Sequence, residues 1–166
     1  MYIFGQALGI LATICCFVGP IWKKRYQMQL TSMVANVLVG VNTLILNGVC
    51  TAMIMNMVAI VQICFALYHL KKETSVSVTE NIVFLIAYIF CGALGFEEYI
   101  DILPVFGAVL FMICVFQKDA QKARVIGIAN AVTYLAYYAI LGSTSAFPQV
   151  VAIGMNSIAI YKYRKK

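Results

Sequence analysis

The chain has 166 residues, of which 63% are hydrophobic and 11% charged, with a formal net charge of +6. A soluble domain carries about a quarter charged residues, and a soluble chain this short leaves too much surface wet to hide so much apolar side chain. That excludes a soluble globular domain. A chain in lipid must satisfy its backbone hydrogen bonds internally, as helices or a closed barrel, and apolar runs that are continuous rather than alternating exclude the barrel.

The first apolar run covers about residues 2–21 and carries no charge; Lys23, Lys24 and Arg25 follow it. A secretory signal places its positive charge before the apolar stretch, so this segment is expected to be a retained helix with its N-terminus outside. Further runs follow at about 29–47, 49–69, 81–96, 102–117, 125–142 and 146–161. At about 1.5 Å per residue these reach about 24 to 32 Å, enough for a hydrocarbon core. The fourth and fifth are the shortest relative to that need.

Assigning the connections alternately to two sides puts every basic residue on one of them. Lys23, Lys24, Arg25; Lys71, Lys72; Lys118, Lys122, Arg124; and Lys162, Arg164, Lys165, Lys166 account for all 12 Lys and Arg, while Glu97, Glu98 and Asp101 fall on the other side. Basic residues stay in the cytoplasm, which predicts a cytoplasmic C-terminus. The positive charge is then a topology signal, and no nucleic-acid partner is expected.

Six cysteines (Cys15, Cys16, Cys50, Cys64, Cys91, Cys114) match no metal-binding spacing, and His69 is the single histidine. They read as small apolar helix residues. With no nucleophile, Walker or dinucleotide motif in the sequence, no catalytic residue, metal or cofactor is nominated. An enzyme is not expected.

Comparing the chain with itself reveals a repeat. Leu8-Gly9-Ile10-Leu11 pairs with Phe106-Gly107-Ala108-Val109, Val34-Ala35-Asn36 with Ile128-Ala129-Asn130, and Gly48 with Gly142. Met55-Asn56 pairs with Met155-Asn156 once a six-residue insertion is allowed in the second connection; the ungapped alternative pairs Gln62 with Asn156. Three helices per copy is an odd number, so one additional helix is needed to stand the second copy parallel to the first. The expected fold is an all-α membrane protein of seven transmembrane helices in a 3+1+3 arrangement with parallel three-helix repeats: residues 1–72, a linker helix within 73–100, and 101–166. Parallel repeats of this kind occur among transporters.

The seam between the repeats is where paired polar residues fall. Asn36, Gly40, Thr43 and Asn47 share one face of helix two, and Asn130, Tyr134, Tyr137 and Leu141 are the corresponding positions on helix six. Asn56 and Asn156 join from helices three and seven. An amide near the bilayer midplane faces the bundle interior. Two readings stand: interhelical glue worth about 0.6 to 2 kcal/mol per bond, or a polar binding site of Asn56, Asn156, Asn36, Asn130, Tyr134 and Tyr137. No charged residue lies in the middle of a helix, which points away from ion-coupled transport and toward a neutral or weakly charged solute. Gly5, Gly9 and Thr13 form a small-residue packing face, and Pro20, Pro104 and Pro148 sit at helix ends.

Gly5-Gln6 with Gly9, Tyr26-Gln27-Met28-Gln29-Leu30, Leu103-Pro104-Val105-Phe106-Gly107 and Met155-Asn156 together resemble the YgjV family of bacterial inner-membrane proteins over nearly the whole chain. The resemblance implies a location and a fold more than an activity. More distantly, the 3+1+3 plan is similar to SWEET sugar transporters, PQ-loop proteins and PnuC-type vitamin-precursor transporters. In SWEETs an asparagine pair on the third and seventh helices contacts substrate, and Asn56 and Asn156 match it. The sequence departs from that group in having a Pro-Gln pair only at Pro148-Gln149 and no proline on helices two and six.

The function expected is facilitative transport of a small neutral polar solute, sugar-like or resembling a vitamin or nucleoside precursor, by rocking of the two repeats in the bacterial inner membrane. The lipid bilayer and the solute are the partners, and homo-oligomerisation is left open. The alternative is a non-transporting receptor or assembly factor, since the KDEL receptor is similar in architecture; a membrane enzyme comes third.

Overall fold

The computed structural model describes residues 2–164, with the side chains of residues 2–4, Gln6 and Asn47 excepted; those of Gln6 and Asn47, and Lys165 and Lys166, lie outside the described residues. Among the described residues the chain is all helical. The seven α-helices are α1 Tyr2–Val18, α2 Arg25–Asn47, α3 Thr51–Lys72, α4 Val78–Leu94, α5 Ile102–Phe116, α6 Ala120–Ile140 and α7 Ala146–Tyr163. Short 3-10 turns lie at Gly19–Ile21 and Tyr99–Asp101.

Among the described residues four stretches are long and apolar enough to cross a membrane: Arg25–Leu46, Thr51–Lys72, Tyr99–Phe116 and Ala120–Ile140. Ala7–Ile21 and Val78–Leu94 are apolar but shorter. α7 has 18 residues but carries Gln149, Asn156, Ser157 and Lys162. The seven expected helices are thus present, and four of them meet the length and hydropathy of a full span.

Local chemistry explains the ends. Ser77 and Glu80 form a capping box at the start of α4, with Glu80 N–H donating to Ser77 Oγ at 3.1 Å and Ser77 N–H to Glu80 Oε2 at 2.7 Å. Asp119 caps α6 by accepting from the Gln121 and Lys122 backbone. α2 and α6 each begin four or five residues before the apolar run does, because their first turns are polar. Gly48 (φ +73°) follows α2 and Gly142 (φ +62°) follows Leu141, the C-cap of α6, and left-handed backbone at a helix end favours glycine. These are the two glycines paired in the repeat, 94 residues apart.

Side-chain bonds show that successive helices alternate in direction. The starts of α1, α3, α5 and α7 share one end with the finishes of α2, α4 and α6, as the bonds Asn42 to Gly5, Thr51 to Gly95 and Ser145 to Asn42 require. The described basic residues gather at the opposite end, and Glu97, Glu98 and Asp101 lie at this one. We call them the basic and acidic ends.

The helices pack as a closed ring, α1–α2–α3–α5–α6–α7 and back to α1, with α4 outside against α3 and α5. Large apolar side chains cover the outside: on α4 alone Ile82, Val83, Ile86, Ile89, Phe90 and Leu94 are each more than half exposed. In a soluble protein such a surface marks a contact site; around a helical bundle of this composition it is the lipid face. Inside, a cluster of Met55, Phe84, Tyr88, Ala108 and Met112 joins α3, α4 and α5.

Candidate functional site

The ring encloses a cavity of about 170 Å³ that opens into its basic half. Asn36, Asn56, Asn130, Asn156 and Tyr134 all line it, together with Tyr138. Tyr137, grouped with them by sequence, lies elsewhere. It is buried against Ala52 and Tyr138, and its hydroxyl donates to Asp101 Oδ1 at 3.3 Å near the acidic end. The reason is angular. At about 100° per residue, the α6 lining positions Ala123, Gly127, Asn130, Ala131, Tyr134 and Tyr138 fill an arc of about 100° running to one side of Asn130, and Tyr137 falls about 20° beyond it on the other side. A stripe centred on the asparagine selects Tyr137; the cavity is centred nearer Tyr134.

The register left open by the repeat also has a geometric counterpart. Asn56 and Asn156 line the cavity, and Gln62 does not. Gln62 is fully buried, accepts from the Tyr88 hydroxyl at 2.7 Å and donates to the Met112 carbonyl at 3.3 Å. It fastens α3 to α4 and α5.

Among the described residues none of the four cavity asparagines has a hydrogen bond of ordinary geometry to another helix, and the nearest approach to one is Asn56 beside the Tyr138 hydroxyl of α6. Asn36 Nδ2 donates to Ser32 O and Asn156 Nδ2 to Ala152 O, both at 2.8 Å and both within their own helices. Asn56 Nδ2 and Asn130 Oδ1 are buried with no hydrogen bond of ordinary geometry among the described residues. A buried unpartnered amide atom costs about 1 to 3 kcal/mol, so these two atoms present polar contacts to an occupant of the cavity. Tyr134 rests on α5, with its hydroxyl donating to Pro104 O at 3.3 Å. Gly107 makes room for it, since a Cβ there would come within 2.7 Å of the ring. Gly9, paired with Gly107 by the repeat, faces Asn42 in the same way, with 3.1 Å from a Cβ to Asn42 Nδ2.

Sequence reasoning missed Asn42, which is the interhelical fastener. It is 2% exposed, donates to Gly5 O at 2.6 Å and accepts from Ser145 Oγ at 3.1 Å, joining α2 to α1 and α7. Thr51 bonds the Gly95 carbonyl across the same end. Asp101 Oδ2 accepts from the Glu97 and Glu98 backbone at 2.9 and 3.0 Å.

Two arginines close the basic end, each reaching across the ring to the finish of a helix. Arg25, at the start of α2, donates through Nε to Gln117 O at 3.1 Å and through Nη2 to Cys114 O and Val115 O at 2.9 and 3.1 Å, all at the end of α5. Arg124, in the first turns of α6, donates to Pro20 O at 3.3 Å and Trp22 O at 3.0 Å, just past α1. The last carbonyls of a helix lack intrahelical partners and carry its negative dipole end, so a guanidinium is a matched cap. Gln29 adds a 2.8 Å bond to Val115 O, and Tyr163 donates to Ile21 O at 2.9 Å. A polar signal existed for these contacts in the charged first turns before the apolar runs, where topology alone had accounted for the arginines.

A ring of helices with a lipid-facing exterior and a polar chamber inside defines a multi-pass membrane protein. The chain belongs to the Imp-YgjV family of bacterial inner membrane proteins, whose family model matches residues 3–166. No curated protein and no solved structure matches it.

Proposed function

We propose that the protein is a facilitative transporter of a small polar solute, sugar-like or resembling a vitamin or nucleoside precursor, bound among Asn36, Asn56, Asn130, Asn156 and Tyr134. The observation that carries this reading is that four asparagines from four helices line one cavity while none of them has a hydrogen bond of ordinary geometry across helices among the described residues. Glue does not leave its amides without interhelical partners. The closed ring supports treating α1–α3 and α5–α7 as two units, because α3 meets α5 as α7 meets α1, and α4 then bridges one seam in a SWEET-like 3+1+3 plan. Rocking of one unit against the other opens the basic end while the acidic end stays shut, and the reverse. With basic residues inside, the basic end faces the cytoplasm and the N-terminus lies outside.

Purified protein in liposomes should carry a labelled sugar or nucleoside down its gradient. Asn56→Ala and Asn156→Ala should each cut that flux at least tenfold while leaving the unfolding temperature within a few degrees. Variants that lose flux only by unfolding would return these amides to a packing role.

A further inference from the structure

The chemistry of the cavity wall is asymmetric along the membrane normal. In Asn36 and Asn156 the amide nitrogen is held on a backbone carbonyl. A carbonyl only accepts, so the orientation of both amides is fixed and each Oδ1 is left as an acceptor. No Asp or Glu lines the cavity. An occupant must therefore bring donors to these oxygens, and with no carboxylate present hydroxyls suit them better than an ammonium group.

Toward the basic end the same wall contains Arg25. Its Nε and Nη2 hold α5 carbonyls, but Nη1 reaches only the Met28 thioether at 3.9 Å. Among the described residues the one close ion pair is His69 with Glu80, so Arg25 has no carboxylate against it, while Arg124 has Asp119 nearby at the start of α6. Arg25 lines the cavity and its Nη1 has no oxygen partner among the described residues, which makes it a site for an anionic group; a guanidinium binds a carboxylate or phosphate through charge-assisted bonds. At about 170 Å³ the space is below that of pockets for drug-sized ligands, roughly 300 to 1,000 Å³, so the occupant is small.

We infer that the solute is a small hydroxyl-rich organic acid, a sugar acid or sugar phosphate, whose hydroxyls meet Asn36 and Asn156 and whose anionic group meets Arg25 Nη1. The inference rests on the transporter reading for the role of the ligand, but the ligand class is tested by binding alone. It takes the charged side of the neutral or weakly charged solute expected from sequence, where Arg25 at the start of α2 served as a topology marker.

The test measures thermal stabilisation of the purified full-length protein in detergent by gluconate, glucose 6-phosphate, glucose, acetate and inorganic phosphate. Bound ligand raises the unfolding temperature by mass action. Gluconate or glucose 6-phosphate should stabilise at concentrations about tenfold lower than glucose, acetate or phosphate. Arg25→Gln should erase the advantage of acid over neutral sugar, and Arg25→Lys, which keeps the charge should the first variant fail to fold, should retain part of it. Asn156→Ala should weaken the binding of acids and glucose alike. Equal stabilisation by glucose, equal stabilisation by acetate or phosphate, or none by either acid overturns the assignment. A phosphatidylglycerol headgroup offers the same chemistry; stabilisation seen only in nanodiscs containing that lipid would make this a lipid site and overturn the solute. Binding of the acids without flux in liposomes would leave the ligand class standing and remove the transporter.

Discussion

At the acidic end the helices are fastened by buried side chains that bond one another or a backbone close by: Asn42 with Ser145 and Gly5, Tyr137 with Asp101, and Thr51 with Gly95. At the basic end the fasteners are two arginines holding backbone carbonyls at helix finishes. Opening the first end strands Asn42, Thr51 and Asp101, all less than a tenth exposed. Opening the second lets water take over both the guanidiniums and the carbonyls. Arg124 is as buried as these residues, at 2% exposed, so the ends differ in chemistry rather than in burial: water entering an opened basic end solvates guanidiniums and helix-finish carbonyls well, whereas the acidic end rests on short side chains matched to one another. On the proposed transport reading, this difference makes the acidic end the more stable closure and the basic end the gate that yields first.

The largest effect should come from Asn42→Ala, which takes the partner from the buried Ser145 hydroxyl and removes a second bond to the Gly5 carbonyl, already paired within α1. We expect a loss of about 2 kcal/mol, read as a lower unfolding midpoint in detergent. Gly107→Ala should follow closely, about 1 to 3 kcal/mol, because its Cβ would lie 2.7 Å from the Tyr134 ring; it should weaken ligand stabilisation as well, since Tyr134 lines the cavity. Arg124→Gln should cost less stability than Asn42→Ala and do something Asn42→Ala does not. Cys15, Cys16 and Cys114 line the cavity and serve as native reporters once Cys50, Cys64 and Cys91 are replaced by Ala. A membrane-impermeant maleimide should label them several-fold faster from the basic side in Arg124→Gln, with no change from the acidic side. Equal acceleration from both sides would erase the distinction between the ends.

Helix number, helix order and the gathering of basic residues at one end were legible because hydropathy and charge report them directly. Gly48 and Gly142, paired when the sequence is compared with itself, were legible as helix ends because both take left-handed backbone, which constrains residue type. Rotation about a helix axis was much less so. Tyr137 and Tyr138 differ by one position and about 100°, so a single misplaced centre exchanges a cavity residue for one bound to Asp101. Asn42 was missed for the same reason: it sits off the Asn36 face, where nothing in the sequence distinguishes a fastener from a ligand. Arg25 and Arg124 were seen as topology markers, and their second role depends on which helix finish lies across the ring, which no local pattern encodes.

The smallest expected effect sharpens the comparison from the connection between α3 and α4, also at the basic end. Glu80 lies just before the apolar run of α4. Its bond from the Ser77 backbone, and then its contact with His69 at 2.9 Å, hold its carboxyl below the usual carboxylate range. A lowered folded-state pKa means that the capping box contributes stability above the unfolded value, about 4.3, and loses it as pH falls through the folded value. Glu80→Gln should remove that acid-side dependence while leaving the midpoint near pH 7 only slightly lower, because the group is exposed and well screened. Cavity thiol labelling should be unchanged in this variant: the capping box holds only the connection between α3 and α4, and the two arginine clasps hold the gate. Faster labelling of Cys114 in Glu80→Gln would extend the gate from the clasps to the whole basic end.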